Sequence, residues 1–208
     1  MTPARVLIRF GAAVVLAAGL SGCISLLPKN KPAQLYRFGE PVSAAPQAPP
    51  PANAIGVFWT NGDFQRESAN DRILTITGDH AAYIAETRWV APAQVLFQQA
   101  VEAAFEAQPG HVRLVARGTP STTDVSLRLD VRNFETRYDA GPKQAPTILV
   151  RVHALMTHER DRTIVSEQEF EAREPARDNR VGAITGAYDR ALRKVLDQVV
   201  AWTNQKAA

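Results

Sequence analysis

Between Val125 and Arg132 the chain alternates strictly: Val125, Leu127, Leu129 and Val131 are apolar, and Ser126, Arg128, Asp130 and Arg132 are polar. A two-residue period describes a strand with one buried and one wet face, so this sheet should carry helices on one side only. Ile55 to Trp59 and Arg72 to Thr77 also have strand character, joined by a turn expected at Asn61-Gly62-Asp63. Two further strands, about Thr147 to Thr157 and Thr163 to Arg173, flank the polar turn Glu159-Arg160-Asp161.

A 3.6-residue period takes over elsewhere. From Pro92, Phe97, Val101, Ala104 and Phe105 line one helical face until Pro109-Gly110 ends the run. Near the C-terminus Ile184, Tyr188, Leu192, Val195, Val199 and Trp202 share a face, with Asp178 as the expected cap and Arg190, Arg193, Lys194 and Asp197 directed to water. The predicted class is α+β: a two-layer domain, residues 54–204, with a mainly antiparallel sheet and two main helices on one face.

Residues 40–53, EPVSAAPQAPPPAN, break both periods. Proline removes backbone donors and favours extended polyproline geometry, so residues 23–53 are expected to form a semi-rigid tether. Within them Leu35-Tyr36-Arg37-Phe38 is an isolated aromatic patch that either docks on the domain or lies at a membrane interface.

Ahead of the tether, Arg5 and Arg9 precede an apolar run from Phe10 to Leu20 and then Ser21-Gly22-Cys23, the three parts of a secretory signal. The run is too short for a comfortable membrane span. Cys23 is the chain's one cysteine and cannot be explained by an internal disulfide. Leu20-Ser21-Gly22-Cys23 resembles the bacterial lipobox, which implies cleavage after residue 22 and acylation of Cys23. Ile24, not aspartate, follows the cysteine, and by the same resemblance this favours the outer membrane with the domain facing the periplasm.

Charge adds one exclusion. Residues 1–22 hold two of the 24 basic residues and none of the 21 acidic ones, so the processed chain would lie near neutrality and the whole-chain pI of 9.2 does not argue for nucleic acid. Candidate chemistry is equally sparse. The sequence has no glycine-rich phosphate loop, no Gly-x-Ser-x-Gly elbow and no cysteine pair, and His80, His111, His153 and His158 are scattered. We therefore expect no catalytic residues, no metal ligands and no cofactor, and read the chain as a non-enzyme.

Two features resemble sites without the chemistry of one. Glu167, Glu169 and Glu171 share a strand face, where pairing of Glu169 with Arg151 and of Glu167 with His153 would make a solvated ladder. That register sets Val150 opposite Phe170 and Met156 opposite Ile164. Gly182 and Gly186 have a membrane-dimer spacing, but their helix is too charged for a bilayer, and close packing on the sheet is expected instead.

The run Tyr83-Ile84-Ala85-Glu86-Thr87-Arg88-Trp89-Val90-Ala91-Pro92, leading into an amphipathic helix, resembles the ABC-type transport auxiliary lipoproteins. The Leu35-Tyr36-Arg37 element and the two-strand plus final-helix ending are also similar to that family. The resemblance implies a periplasmic accessory lipoprotein, anchored to the membrane through Cys23. It would serve an MCE-domain protein and an ABC permease and ATPase that move phospholipid or other lipids between the inner and outer membranes. A homo-oligomer is compatible with it. An envelope assembly or scaffolding lipoprotein is the alternative, and Arg88-Trp89 itself reads as a core tryptophan beside a salt bridge.

Overall fold

The computed structural model describes residues 32–39, 54–108, 110–115 and 124–207. The expected signal segment, Cys23 and the proline-rich run 40–53 lie outside the described residues.

In chain order the elements are β1 (Gln34–Tyr36), β2 (Ile55–Phe64), β3 (Leu74–Thr77), β4 (His80–Tyr83), β5 (Thr87–Trp89), α1 (Ala93–Ala107), β6 (Val112–Val115), β7 (Val125–Arg137), β8 (Thr147–His158), β9 (Ile164–Pro175) and α2 (Val181–Lys206). The 7-stranded sheet is organised around β7, which is antiparallel to β8 along its length. On its other edge β2 and then β3 pair with successive parts of β7, both parallel to it. Strands β6 and β4 extend that side, and β9 pairs antiparallel with β8. A separate parallel pair joins β1 to β5.

The expected α+β architecture is present. Leu127, Leu129 and Val131 bury their side chains, continued by Val150, Val152 and Ala154 of β8. From α1, Leu96, Phe97, Val101 and Phe105 join this core, and α2 contributes its predicted stripe from Ile184 to Trp202. An irregularity between Val131 and Asn133 resets the alternation of β7, so Phe134 turns inward with the core.

The expected turn at Asn61-Gly62-Asp63 is instead the end of β2. The strand continues to Phe64 through a register shift, and a Cβ on Gly62 would collide with the Asp130 carboxylate and the Leu129 carbonyl. Glycine here serves close approach of two strands, not a reversal of the chain. The Asp63 amide donates to Asp130 Oδ1 at 2.8 Å.

The β8–β9 hairpin forms, with a register two residues from the expected one. Arg151 faces Glu171, His153 faces Glu169 and Val152 faces Phe170, with a shift between Met156 and Thr157 near the turn. A two-residue slip leaves every side chain on its own face, so hydrophobic alternation cannot detect it; the irregular turn end sets it.

Asp178 does not cap α2. Its Oδ1 accepts from the Arg180 amide at 2.9 Å, and Arg180 occupies the cap position without a side-chain bond. Gly182 meets nothing within 4 Å of an added Cβ and Gly186 meets only the Arg190 guanidinium, so neither glycine packs closely on the sheet.

Candidate functional site

The segment that carries the family resemblance folds into one corner. Trp89, 2% exposed, stands edge-on to Phe38 (ring centroids 4.8 Å apart) and to Tyr188 (5.2 Å). Phe134 completes the cluster at 4.9 Å from Phe38 and 4.7 Å from Tyr188. This corner therefore joins the segment just after β1 to β5, β7 and α2 through four rings, with geometries in which aromatic pairs add to simple burial. The Tyr188 hydroxyl lies 3.1 Å from Thr136 Oγ1, and complete burial raises its pKa further above the ordinary phenol value.

The short strand β1 explains how residues 34–38 join the fold. Strand alternation turns Tyr36 and Phe38 inward and leaves Leu35 outside, 62% exposed. Of the two placements open to this patch from sequence, docking on the domain is the observed one. A strand and a core ring thus sit inside the stretch 23–53 assigned to the tether.

Next to Trp89, Arg88 Nη1 bonds both carboxylate oxygens of Asp71 at 2.8 and 2.9 Å, the salt bridge expected beside the core tryptophan. The loop from Gln65 to Arg72 also finishes the start of α1. The Ala93 amide donates to the Asn70 carbonyl at 3.0 Å and the Gln94 amide to Ala69 at 3.1 Å, so free N–H groups of the first turn are satisfied without a capping side chain. Sequence reasoning missed this role of residues 69–71, because backbone carbonyls leave no residue-type signal.

These pieces wall an open cleft of about 630 Å³, lined by Leu35, Glu67, Arg72, Tyr83, Arg88 and Val90 among others. The Tyr83 hydroxyl donates to the Glu67 carbonyl at 2.9 Å, and the Arg72 guanidinium lies 5.2 Å from the Tyr83 ring centre. Its charges are matched, two acidic and two basic side chains, while its apolar groups are not covered. Leu35, Tyr83 and Val90 are three of the five large hydrophobic side chains exposed among the described residues. Such an arrangement can hold an apolar surface in place; it offers no nucleophile beside a base.

The acidic face is different. Arg151 Nε bonds Glu171 at 2.7 Å and lies 3.6 Å from Glu169, while Arg173 takes the other oxygen of Glu171 at 2.7 Å. The bond from Arg151 holds Glu171 below the usual carboxylate range, and Arg173 adds to it. His153 sits between Asp130 (3.8 Å) and Glu167 (3.7 Å). Burial pushes Asp130 upward, but the Asp63 amide and Arg128 outweigh it and lower its pKa. Glu174 is nearly buried beneath α2, where Lys194 and then Arg190 stabilise its charged form. Arg190 and Lys194, expected simply in water, therefore tie α2 to β9. Among the described residues no group of three His, Cys, Asp or Glu side chains is placed to hold a metal ion.

Cys23 lies outside the described residues. No helix among the described residues is long and apolar enough to cross a membrane.

The family model for the ABC-type transport auxiliary lipoprotein component matches residues 69–200, from the loop below Arg88 to near the end of α2. No curated protein matches. Among solved structures, a Xanthomonas campestris protein superposes with a TM-score of 0.64 at 24% identity, covering 85% of this chain and 95% of that one. An uncharacterized protein gives 0.60 at 13% identity, covering 86% and 100%, and a hypothetical protein from Chlamydia trachomatis gives 0.52 at 9%, covering 74% and 98%. At these identities the likeness is one of fold.

Proposed function

We infer this protein's role from its family: the chain belongs to the ABC-type transport auxiliary lipoprotein components. Its proposed role is that of a periplasm-facing accessory lipoprotein, held on the outer membrane by acylated Cys23. It serves an ABC permease and ATPase working with an MCE-domain protein, and the cargo is phospholipid or another lipid passed between the inner and outer membranes. In this reading it carries out no turnover of its own and takes no cofactor.

The observation that carries the reading is the match over residues 69–200, which includes Arg88 and Trp89, all of α1 and most of α2. The matched and mostly self-satisfied charges support an accessory role over a catalytic one, since carboxylates fixed by arginines and lysines are poor proton carriers near neutrality. Ile24 after the cysteine supports the outer membrane.

The test is affinity purification of the full-length, tagged chain from detergent-solubilised envelopes. Permease, ATPase and MCE subunits in stoichiometric yield are expected. A peptidoglycan synthase or an outer-membrane assembly factor in their place would overturn the transport reading in favour of a scaffolding one.

A further inference from the structure

Gly39 and Ala54 both belong to the folded domain, so the proline-rich run 40–53 begins and ends on it. It therefore cannot act as a spacer between Cys23 and the domain. The connection left for that purpose is the ten-residue step from Cys23 to Ala33. Fully extended, ten residues span about 35 Å, which is an upper bound on the leash. The point of attachment is immediately before β1, whose Leu35 projects into the Tyr83–Val90 cleft.

On the lipoprotein reading above, we propose that this corner rests against the bilayer that holds the acyl chains of Cys23, with Leu35, Val90 and Tyr83 entering the headgroup region. Leu35 and Val90 are 62% and 50% exposed, two of the large hydrophobic side chains left at the surface among the described residues. Tyr83 has the amphipathic character favoured at a membrane–water boundary, an exposed ring with its hydroxyl anchored to the Glu67 carbonyl. Arg72, stacked beside that ring, is positioned to meet lipid phosphate. A short leash keeps the local concentration of this corner at the membrane high, so a modest apolar contact is enough to orient the domain. The acidic hairpin face would then point elsewhere and remain solvated.

The opposite end of the molecule supplies a control. β3 pairs with β7 at Thr136, whereas the hairpin tip reaches Ser126 through Thr157, itself opposite Ile164. Ten strand residues separate the two ends, about 33 Å. Ile164 is as exposed as Leu35.

The experiment uses the full chain, acylated at Cys23, with one of three substitutions: Leu35→Cys, Val90→Cys or Ile164→Cys. Acylation removes the native thiol from labelling, so one environment-sensitive fluorophore goes on each variant. Each is reconstituted in phosphatidylethanolamine–phosphatidylglycerol vesicles with or without doxyl-labelled acyl chains. Emission at positions 35 and 90 is expected to shift to the blue and to fall about twofold or more with the doxyl lipid, while position 164 is unaffected. Vesicle-bound protein with all three positions unquenched would overturn the proposal and leave the lipoprotein reading standing. Emission shifted at 35 and 90 without quenching, in covalently cross-linkable dimers, would assign the corner to a second copy and also overturn it. Protein that fails to float with the vesicles would overturn both.

Discussion

The Trp89 corner and the outer face of the β8–β9 hairpin both concentrate side chains that look functional in sequence, and they satisfy those side chains in opposite ways. On the hairpin face the acidic side chains meet basic ones: Glu171 has two arginines, and Arg151 also reaches Glu169. At the corner the inner half is a packed aromatic cluster, while Leu35, Tyr83 and Val90 remain uncovered. A dense charged face can thus be chemically complete in itself, and a less conspicuous apolar one can be the surface that lacks a partner.

Four substitutions grade this contrast. Trp89→Ala should have the largest effect, a loss of about 3 to 5 kcal/mol, because removing a buried indole leaves a cavity among three rings. Its urea midpoint measures this directly, and a change below 1 kcal/mol would mean that the corner is not part of the cooperative core. Glu174→Gln should cost about 1 to 3 kcal/mol, through loss of a charged acceptor beneath α2.

The same residue fixes a pH dependence. Lys194 and Arg190 depress the folded pKa of Glu174, so its contribution is complete above the unfolded value of about 4.3 and is lost as pH falls through the lower folded one. Acid unfolding should therefore begin below the ordinary glutamate range, with Glu171 adding in the same direction. In Glu174→Gln the stability–pH curve should be flatter over that interval. An unchanged slope would show that the charge pairing under α2 does not stabilise the fold.

Glu169→Gln should shift stability by only about 0.2 to 1 kcal/mol, since exposed cross-strand pairs contribute little. Transport should survive it. Loss of transport in this stably folded variant would make the acidic face a working surface. Leu35→Ser, at an exposed position, should change stability least, within about 0.5 kcal/mol. It should nevertheless weaken contact of the corner with lipid, which the Glu169 substitution should leave intact; equal lipid contact in both variants would erase the distinction between the two regions.

The aspects legible in sequence are those that repeat. Alternation at Val125–Val131 and the helical stripe from Ile184 to Trp202 locate the sheet and its covering layer, because burial imposes their periods. Features made by single contacts between distant segments were not legible. Gly62 reads as a turn because nothing near it in sequence announces the approach of Asp130 and Leu129. The hairpin register was misplaced by two residues for want of any penalty visible in the pattern. Phe38 joins the core across the proline-rich run, so composition placed it in the tether although its ring packs on Trp89. Arg88 and Trp89 were legible as a salt bridge beside a core ring, but Asp71 was found only when the fold brought it across 17 positions.

The proposed anchoring through Cys23 underlies both the proposed transport role and the proposed orientation of the Trp89 corner, so the most direct measurement is metabolic palmitate labelling with membrane fractionation of the wild-type chain and Cys23→Ser. The wild-type chain should take up label and sediment with the outer membrane, while Cys23→Ser should lose the label and leave the membrane fraction. Equal labelling and equal sedimentation of the two proteins would contradict the account.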